Sequence, residues 1–277
     1  MTSTVKLQRR ITFSSGHRYW LNRLSPDENH AIFGPWASPF NHGHNYVLWV
    51  MAEGEVDPVN GMVVNIKWID DLLKERILKP FDQKSINDEV PEFRDLSPSI
   101  ENLLIHFSSL LEDLPGEATL THLKLEEHPL LYGELDLTTP QGPMISLTRI
   151  YEFAASHRLH TDLLSPEENI RLYSKCNHSH GHGHNYLLEV TVSGQPDPIS
   201  GMLADLSVLD QVVEEKILAR YDHRNLDLDV DELQGMVTTS ENVARAIFGQ
   251  LENQVPGRLE RVRLHETARN IFEVARS

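Results

Sequence analysis

The chain has 277 residues, 40% of them hydrophobic and 24% charged, a composition of ordinary globular domains rather than a disordered or collagen-like polymer. Its formal charge of −16 falls on two acidic halves and excludes nucleic acid or an anionic membrane as a partner. No run approaches the roughly 18 apolar residues of a membrane span, and the single cysteine, Cys176, excludes a disulfide within the chain.

In chain order, MTSTVKLQRR lacks the apolar core of a signal peptide, so a cytoplasmic location is expected. Alternation over residues 5–14 predicts a first strand, and 45–53 a second that runs to a Gly/Pro turn. Ile69, Leu72, Leu73 and Ile77 form a helical stripe, and a second helix follows Ser99, read as its N-cap. Residues 118–126 return to strand, and the stretch 133–145 combines Gly, Pro and paired Thr as a boundary. The order then starts again. Strands are predicted at 146–155 and 185–193, followed by the stripe Leu209, Val212, Val213 and Ile217. A helix follows Ser240, again read as N-cap, and strands close the chain at 258–265 and 270–275.

The repetition is literal. His17-Arg18, Ser25-Pro26, Glu28-Asn29, His42-Gly43-His44-Asn45-Tyr46, Gly61-Met62, Asp82 and Glu101-Asn102 each recur 140 positions later, and Glu127 aligns with Glu266 after a shift of one. An ungapped series of that length is a duplication with a domain-sized period. Two α+β domains are expected, at 1–136 and 145–277, each a four-stranded antiparallel sheet with two helices on one face. Sheets that small leave edges to be paired, so oligomerisation is expected.

Each copy offers three histidines: His17, His42 and His44 in the first, His157, His182 and His184 in the second. Side chains at i and i+2 leave a strand on one face, so a His-Gly-His at a strand start aims two imidazoles at one point. A third from the neighbouring strand completes a zinc set with its fourth position open, the catalytic arrangement. His178 and His180 have no counterpart in the first copy and read as loop residues.

The segments FAASHRL, CNHSHGHGHNY, GMLADL, YDHRNLD, TTSENVA and LHET of the second copy resemble the 6-pyruvoyl-tetrahydropterin synthase family, which includes the 6-carboxy-tetrahydropterin synthases. The resemblance implies tandem tunnelling-fold (T-fold) domains that assemble into β-barrels, and one zinc per domain held by the histidine triads. It implies Cys176 as catalytic base, Asp222-His223 as the pair assisting proton transfer, and Glu266, with Ser240 and Glu241, as the pterin pocket. Arg158, Lys175 and Arg224 are candidates to meet phosphates. The implied activity is that of a carbon–oxygen lyase: a thiolate removes a side-chain proton of 7,8-dihydroneopterin triphosphate, triphosphate leaves, and tautomerisation moves the redox level into the ring. The five residues between Cys176 and His182 resemble the pyruvoyl-type spacing of pteridine (tetrahydrobiopterin) synthesis. The alternatives are a 6-carboxy product on the route to queuosine-type deazapurines and a non-catalytic pterin- or zinc-binding protein.

The first copy carries Trp36 at the position of Cys176 and Gln83 at that of His223. Neither side chain titrates as a base, so this copy is expected to bind metal without turnover. In the family Cys and zinc come from one subunit and the Asp-His pair from its neighbour. A trimer of two-domain chains, a pseudo-hexamer with one active and one inactive barrel, is therefore expected.

Overall fold

Side-chain alternation decides the strands. In β2 (His42–Glu55) the even positions Tyr46, Leu48, Val50 and Ala52 are at most 1% exposed, and in β7 (His182–Ser193) Tyr186, Leu188, Val190 and Val192 are all 0% exposed. Both histidines of each His-Gly-His therefore head a row that runs straight into the core. The computed structural model describes residues 4–276.

The first repeat runs β1 (Thr4–His17), α1 (Pro26–Phe33), β2, α2 (Ile66–Leu73), α3 (Lys79–Phe81), β3 (Lys84–Ser85), α4 (Ile86–Glu89), α5 (Ile100–Leu110), β4 (Thr119–His128) and β5 (Leu131–Asp136). The second runs β6 (Met144–His157), α6 (Pro166–Tyr173), β7, α7 (Leu206–Val213), α8 (Ala219–Tyr221), β8 (Arg224–Asn225), α9 (Ser240–Leu251), β9 (Arg258–Thr267) and β10 (Asn270–Ala275). Strand order is β3-β1-β2-β4-β5 in the first and β8-β6-β7-β9-β10 in the second. The register of β1 on β2 places His17 opposite His42 and Phe13 opposite Tyr46. By contacts the chain forms two compact units. One holds the residues up to Leu147 together with Gly194–Leu203, and the other holds Thr148–Ser193 and the residues from Ala204 onward.

The same aromatic pair seeds each core. Phe13 stacks on Tyr46 at 5.0 Å, and Phe153 on Tyr186 at 4.9 Å. Of the predicted stripes, Ile69, Leu73 and Ile77, and Leu209, Val213 and Ile217, are at most 1% exposed, while Leu72 and Val212 are only half-buried; Phe81 and Tyr221, outside the predicted stripes, extend the buried rows. The buried residues are spaced by four, so a regular helix would rotate the stripe away by about 40° at each step. A wider π turn at Lys74–Leu78, and again at Glu214–Leu218, brings it back.

Several elements depart from the sequence reading. The helices α1 and α6 were not anticipated, being eight residues long with a weak apolar stripe. Their signal was the Ser-Pro-x-Glu start: Ser25 with Glu28, and Ser165 with Glu168, form capping boxes behind a first-turn proline. The two-residue strands β3 and β8 add a parallel pairing to each antiparallel sheet, too short for any pattern to mark. The stretch 133–145 is shorter as a connection than expected, because β5 continues to Asp136 and β6 begins at Met144. The N-cap of α9 is Thr239, not Ser240, which is the first helical residue and is left free for another bond. Among the described residues no helix is long and apolar enough to cross a membrane.

Candidate metal and substrate site

The histidines converge as their strand positions require. In each unit the ligating nitrogens of the three lie within 4.8 Å of one another. His157 Nδ1 sits 2.7 Å from the Thr238 carbonyl, and His17 Nδ1 3.1 Å from that of Pro98. A carbonyl only accepts, so Nδ1 carries the proton and Nε2 presents a lone pair. The Nε2 atoms of His157 and His184, the Nδ1 of His182, and the Nε2 atoms of His17 and His44 are buried without a hydrogen-bond partner. Buried nitrogens with aligned lone pairs fit a metal ion, and neutral imidazole suits zinc. Burial lowers the proton affinity of His182 and His184, reinforced by the neighbouring histidines. In the first unit the same causes bring His17 down to about 3 and His44 to about 4.

A cavity of about 390 Å³ opens beside the second triad, lined among others by Cys176, Lys175, Ser240, Glu241 and Glu266. Cys176 reaches it on a 3-10 turn, Ser174–Asn177, that follows α6, and its carbonyl accepts a hydrogen bond from Leu159 N–H at 2.9 Å. Glu266 projects from β9 with its carboxylate clamped: Ser240 Oγ donates to Oε1 at 2.8 Å and Asn270 Nδ2 to Oε2 at 3.0 Å. Burial pushes its proton affinity up, but those two donors, with the histidines, hold it below the usual carboxylate range. An ionised, oriented carboxylate is thus presented to a donor pair. At 3.8 and 3.9 Å from the Nε2 atoms of His157 and His184 it is too far to bond them directly.

The Asp222-His223 pair is formed but lies elsewhere in the unit. Asp222 accepts from Ala154 N–H at 2.7 Å and from His223 Nδ1 at 2.8 Å, bonds that hold its carboxyl below the usual range. His223 adopts φ +56 and opens onto a second cavity of about 470 Å³, which shares only His184 with the first. The unit by itself therefore does not bring His223 to Cys176. Of the phosphate candidates, Lys175 lines the Cys176 cavity and Arg224 the His223 cavity. Arg158 instead bonds the Asn177 carbonyl through its guanidinium. His178 and His180 face each other on the exposed loop, outside both cavities.

The first unit keeps the triad and alters its surroundings. Tyr19 stands where the second repeat has Leu159; it is 8% exposed and packs edge-on to His17 at 5.1 Å. Ile100 and Leu131 replace Ser240 and Asn270, so neither donor that clamps Glu266 has a counterpart beside Glu127. Gln83 keeps the left-handed backbone of His223, at φ +59, without its ring. Asn270 was missed in the sequence. A residue-by-residue comparison of the repeats would have exposed it, because it is polar in one copy and leucine in the other.

Two copies of one α+β domain, each with a convergent histidine triad, define the chain as a tandem T-fold protein. It belongs to the 6-pyruvoyl tetrahydropterin synthase family, whose model matches residues 6–136 and again 146–277. It is 46% identical to the 6-pyruvoyl tetrahydrobiopterin synthase of Homo sapiens over 126 residues, 45% of this chain and 87% of that protein. Identity to the 6-carboxy-5,6,7,8-tetrahydropterin synthase of Rickettsia conorii is 30% over 149 residues, 53% of this chain and 94% of that one. The solved structure of Caenorhabditis elegans 6-pyruvoyl tetrahydropterin synthase is 43% identical, covers 49% of this chain and 97% of its own, and gives a TM-score of 0.47.

Proposed function

We propose that the second repeat is a zinc-dependent lyase that eliminates triphosphate from 7,8-dihydroneopterin triphosphate and forms 6-pyruvoyl-tetrahydropterin. One observation carries the reading: a histidine triad whose converging nitrogens are buried without a hydrogen-bond partner, the chain's single cysteine and an anchored carboxylate face one cavity. His157, His182 and His184 would hold the zinc, which when bound acidifies C–H bonds next to a coordinated hydroxyl. Glu266 accepts a paired hydrogen bond from the amino and ring N–H groups of the pterin and fixes which side-chain carbon lies near Cys176. The Cys176 thiolate takes the proton from that carbon, and Lys175 offers charge to the departing phosphates. Asp222 orients His223 through Nδ1, and since the pair opens on another cavity, it serves a Cys176 of another copy. The first repeat binds zinc without turnover, having no base at Trp36 or Gln83.

The pyruvoyl product is favoured over the carboxy product by two observations. Five residues separate Cys176 from His182, and identity to pyruvoyl-forming relatives is 43–46% against 28–30% for the carboxy-forming ones. The test is incubation of the zinc-loaded protein with dihydroneopterin triphosphate. Release of inorganic triphosphate with 6-pyruvoyl-tetrahydropterin is expected. Folded, zinc-loaded protein that releases none would overturn the assignment.

A further inference from the structure

The carboxylates that face the two histidine triads stand at almost the same distance from them. Glu266 Oε1 lies 3.8 and 3.9 Å from the Nε2 atoms of His157 and His184. Glu127 turns one oxygen to each of two nitrogens, Oε1 at 3.7 Å from His44 Nε2 and Oε2 at 3.9 Å from His17 Nε2. Ligand atoms at the corners of a zinc tetrahedron, with bonds of about 2.0–2.2 Å, are about 3.4 Å apart. A movement of about half an ångström therefore makes either carboxylate the fourth ligand. What differs is the restraint on each.

In the second repeat Ser240 Oγ and Asn270 Nδ2 hold one oxygen each, and those bonds keep the carboxylate off the triad and at the cavity wall. Ile100 and Leu131 occupy these positions in the first repeat, and neither side chain has a donor. The space that the second repeat leaves for a substrate is also filled there. Tyr19 replaces Leu159, and Tyr19, Ile100, Glu127 and Leu131 are all at most 8% exposed. Ile100 leans over Gly133, the counterpart of Phe272, so closely that a Cβ on Gly133 would collide with it. Met202 packs against the Tyr19 cluster, and Leu203 N–H donates to Glu101 Oε1 at 2.8 Å, whereas the counterpart Glu241 lines the open cavity. A carboxylate buried beside apolar side chains is stabilised by a cation, and a metal on the triad supplies one.

We infer that the first repeat holds its zinc in a closed centre, with Glu127 as the fourth protein ligand beside His17, His42 and His44. Ser240 and Asn270 keep the second centre open by holding Glu266 back. Four protein ligands make a structural zinc site, whose binding energy adds to that of folding. The first repeat is then a metal-stabilised scaffold that takes no pterin. Ser240 and Asn270 are positioning residues, acting through Glu266 on the open position of the metal. The inference rests on the zinc occupancy proposed for both triads and not on the lyase reaction.

The test is visible absorption of the cobalt-substituted full chain, which reads the coordination of each centre without turnover. His182→Ala with His184→Ala leaves the first centre alone, and His42→Ala with His44→Ala leaves the second. Titration with azide is expected to shift the spectrum of the second centre, whose fourth position is open, and to leave that of the first unchanged. Adding Glu127→Ala is expected to make the first centre respond to azide and to weaken its zinc at least about tenfold, since losing a partner that merely bonds a ligand already costs about that much. Adding Ser240→Ile and Asn270→Leu to the second is expected to abolish its azide response with zinc retained. A first centre that takes up no cobalt, that responds to azide as the second does, or that keeps its spectrum and zinc affinity after Glu127→Ala would overturn the proposal. A folded Ser240→Ile, Asn270→Leu protein that still responds to azide would overturn it equally. If circular dichroism shows that this pair fails to fold, the Glu127→Ala comparison decides alone. Missing triphosphate release with every spectrum as expected would instead count against the lyase reading alone.

Discussion

Replacing Glu266 with glutamine separates anchoring of the substrate from metal binding. In the folded protein both carboxylate oxygens already accept one hydrogen bond, from Ser240 Oγ and Asn270 Nδ2, and Glu266 lines the cavity. The amide keeps one accepting oxygen and turns the other position into a donor. That donor confronts either Asn270 or a pterin N–H. A hydrogen bond to a charged acceptor contributes about 1.5–3 kcal/mol, and the substitution removes one and weakens its neighbour, a loss of about 3 kcal/mol. The expected fall in kcat/KM is about 10²-fold. It should appear mainly in KM, because the anchor grips a part of the substrate that does not react. Zinc content should stay unchanged, since Glu266 stands 3.8 Å or more from the triad nitrogens. The assay is steady-state release of triphosphate with metal analysis on the same preparation, and Glu127→Gln as the control that leaves turnover intact. A Glu266→Gln enzyme within about threefold of wild type would refute the anchoring role, as would parallel loss of zinc.

Other outcomes follow from the same geometry. Cys176→Ala should keep fold and zinc and lower elimination by about 10²–10⁴-fold, the usual cost of a lost general base; near-normal turnover would remove the thiol from the mechanism. Metal analysis should give two zinc ions per chain and, after joint replacement of His42 and His44, one; a single ion in the wild type would mean that the first triad is idle. A histidine with depressed proton affinity stays neutral, and so able to ligate, further down the pH scale. His17 and His44 fall to about 3 and about 4, whereas His182 and His184 are lowered less. Acidification should therefore release zinc from the second site first, and release from the first site at the higher pH would contradict the burial argument.

Much of this was legible along the chain because duplication wrote it twice. The triads, the core stripes and the longer strands were readable from spacing, since a period of two or of nearly four maps directly onto a face. The short helices α1 and α6 were hidden because eight residues give periodicity too little length, although their capping boxes were present. Ser240 reads as a cap along the sequence because serine at a helix start usually is one. Only the fold showed that Thr239 takes that role and frees Ser240 for Glu266.

The sequence by itself determined the domain repeat, the convergence of three imidazoles and the replacement of Cys176 and His223 by Trp36 and Gln83 in the first copy, because each is a matter of residue type at a fixed offset. The tertiary structure decided the rest: that His223 opens on a different cavity from Cys176, that Asn270 clamps Glu266, and that Glu101 is buried while Glu241 is exposed. Those facts depend on which distant segments pack together, and identical segments can meet different neighbours.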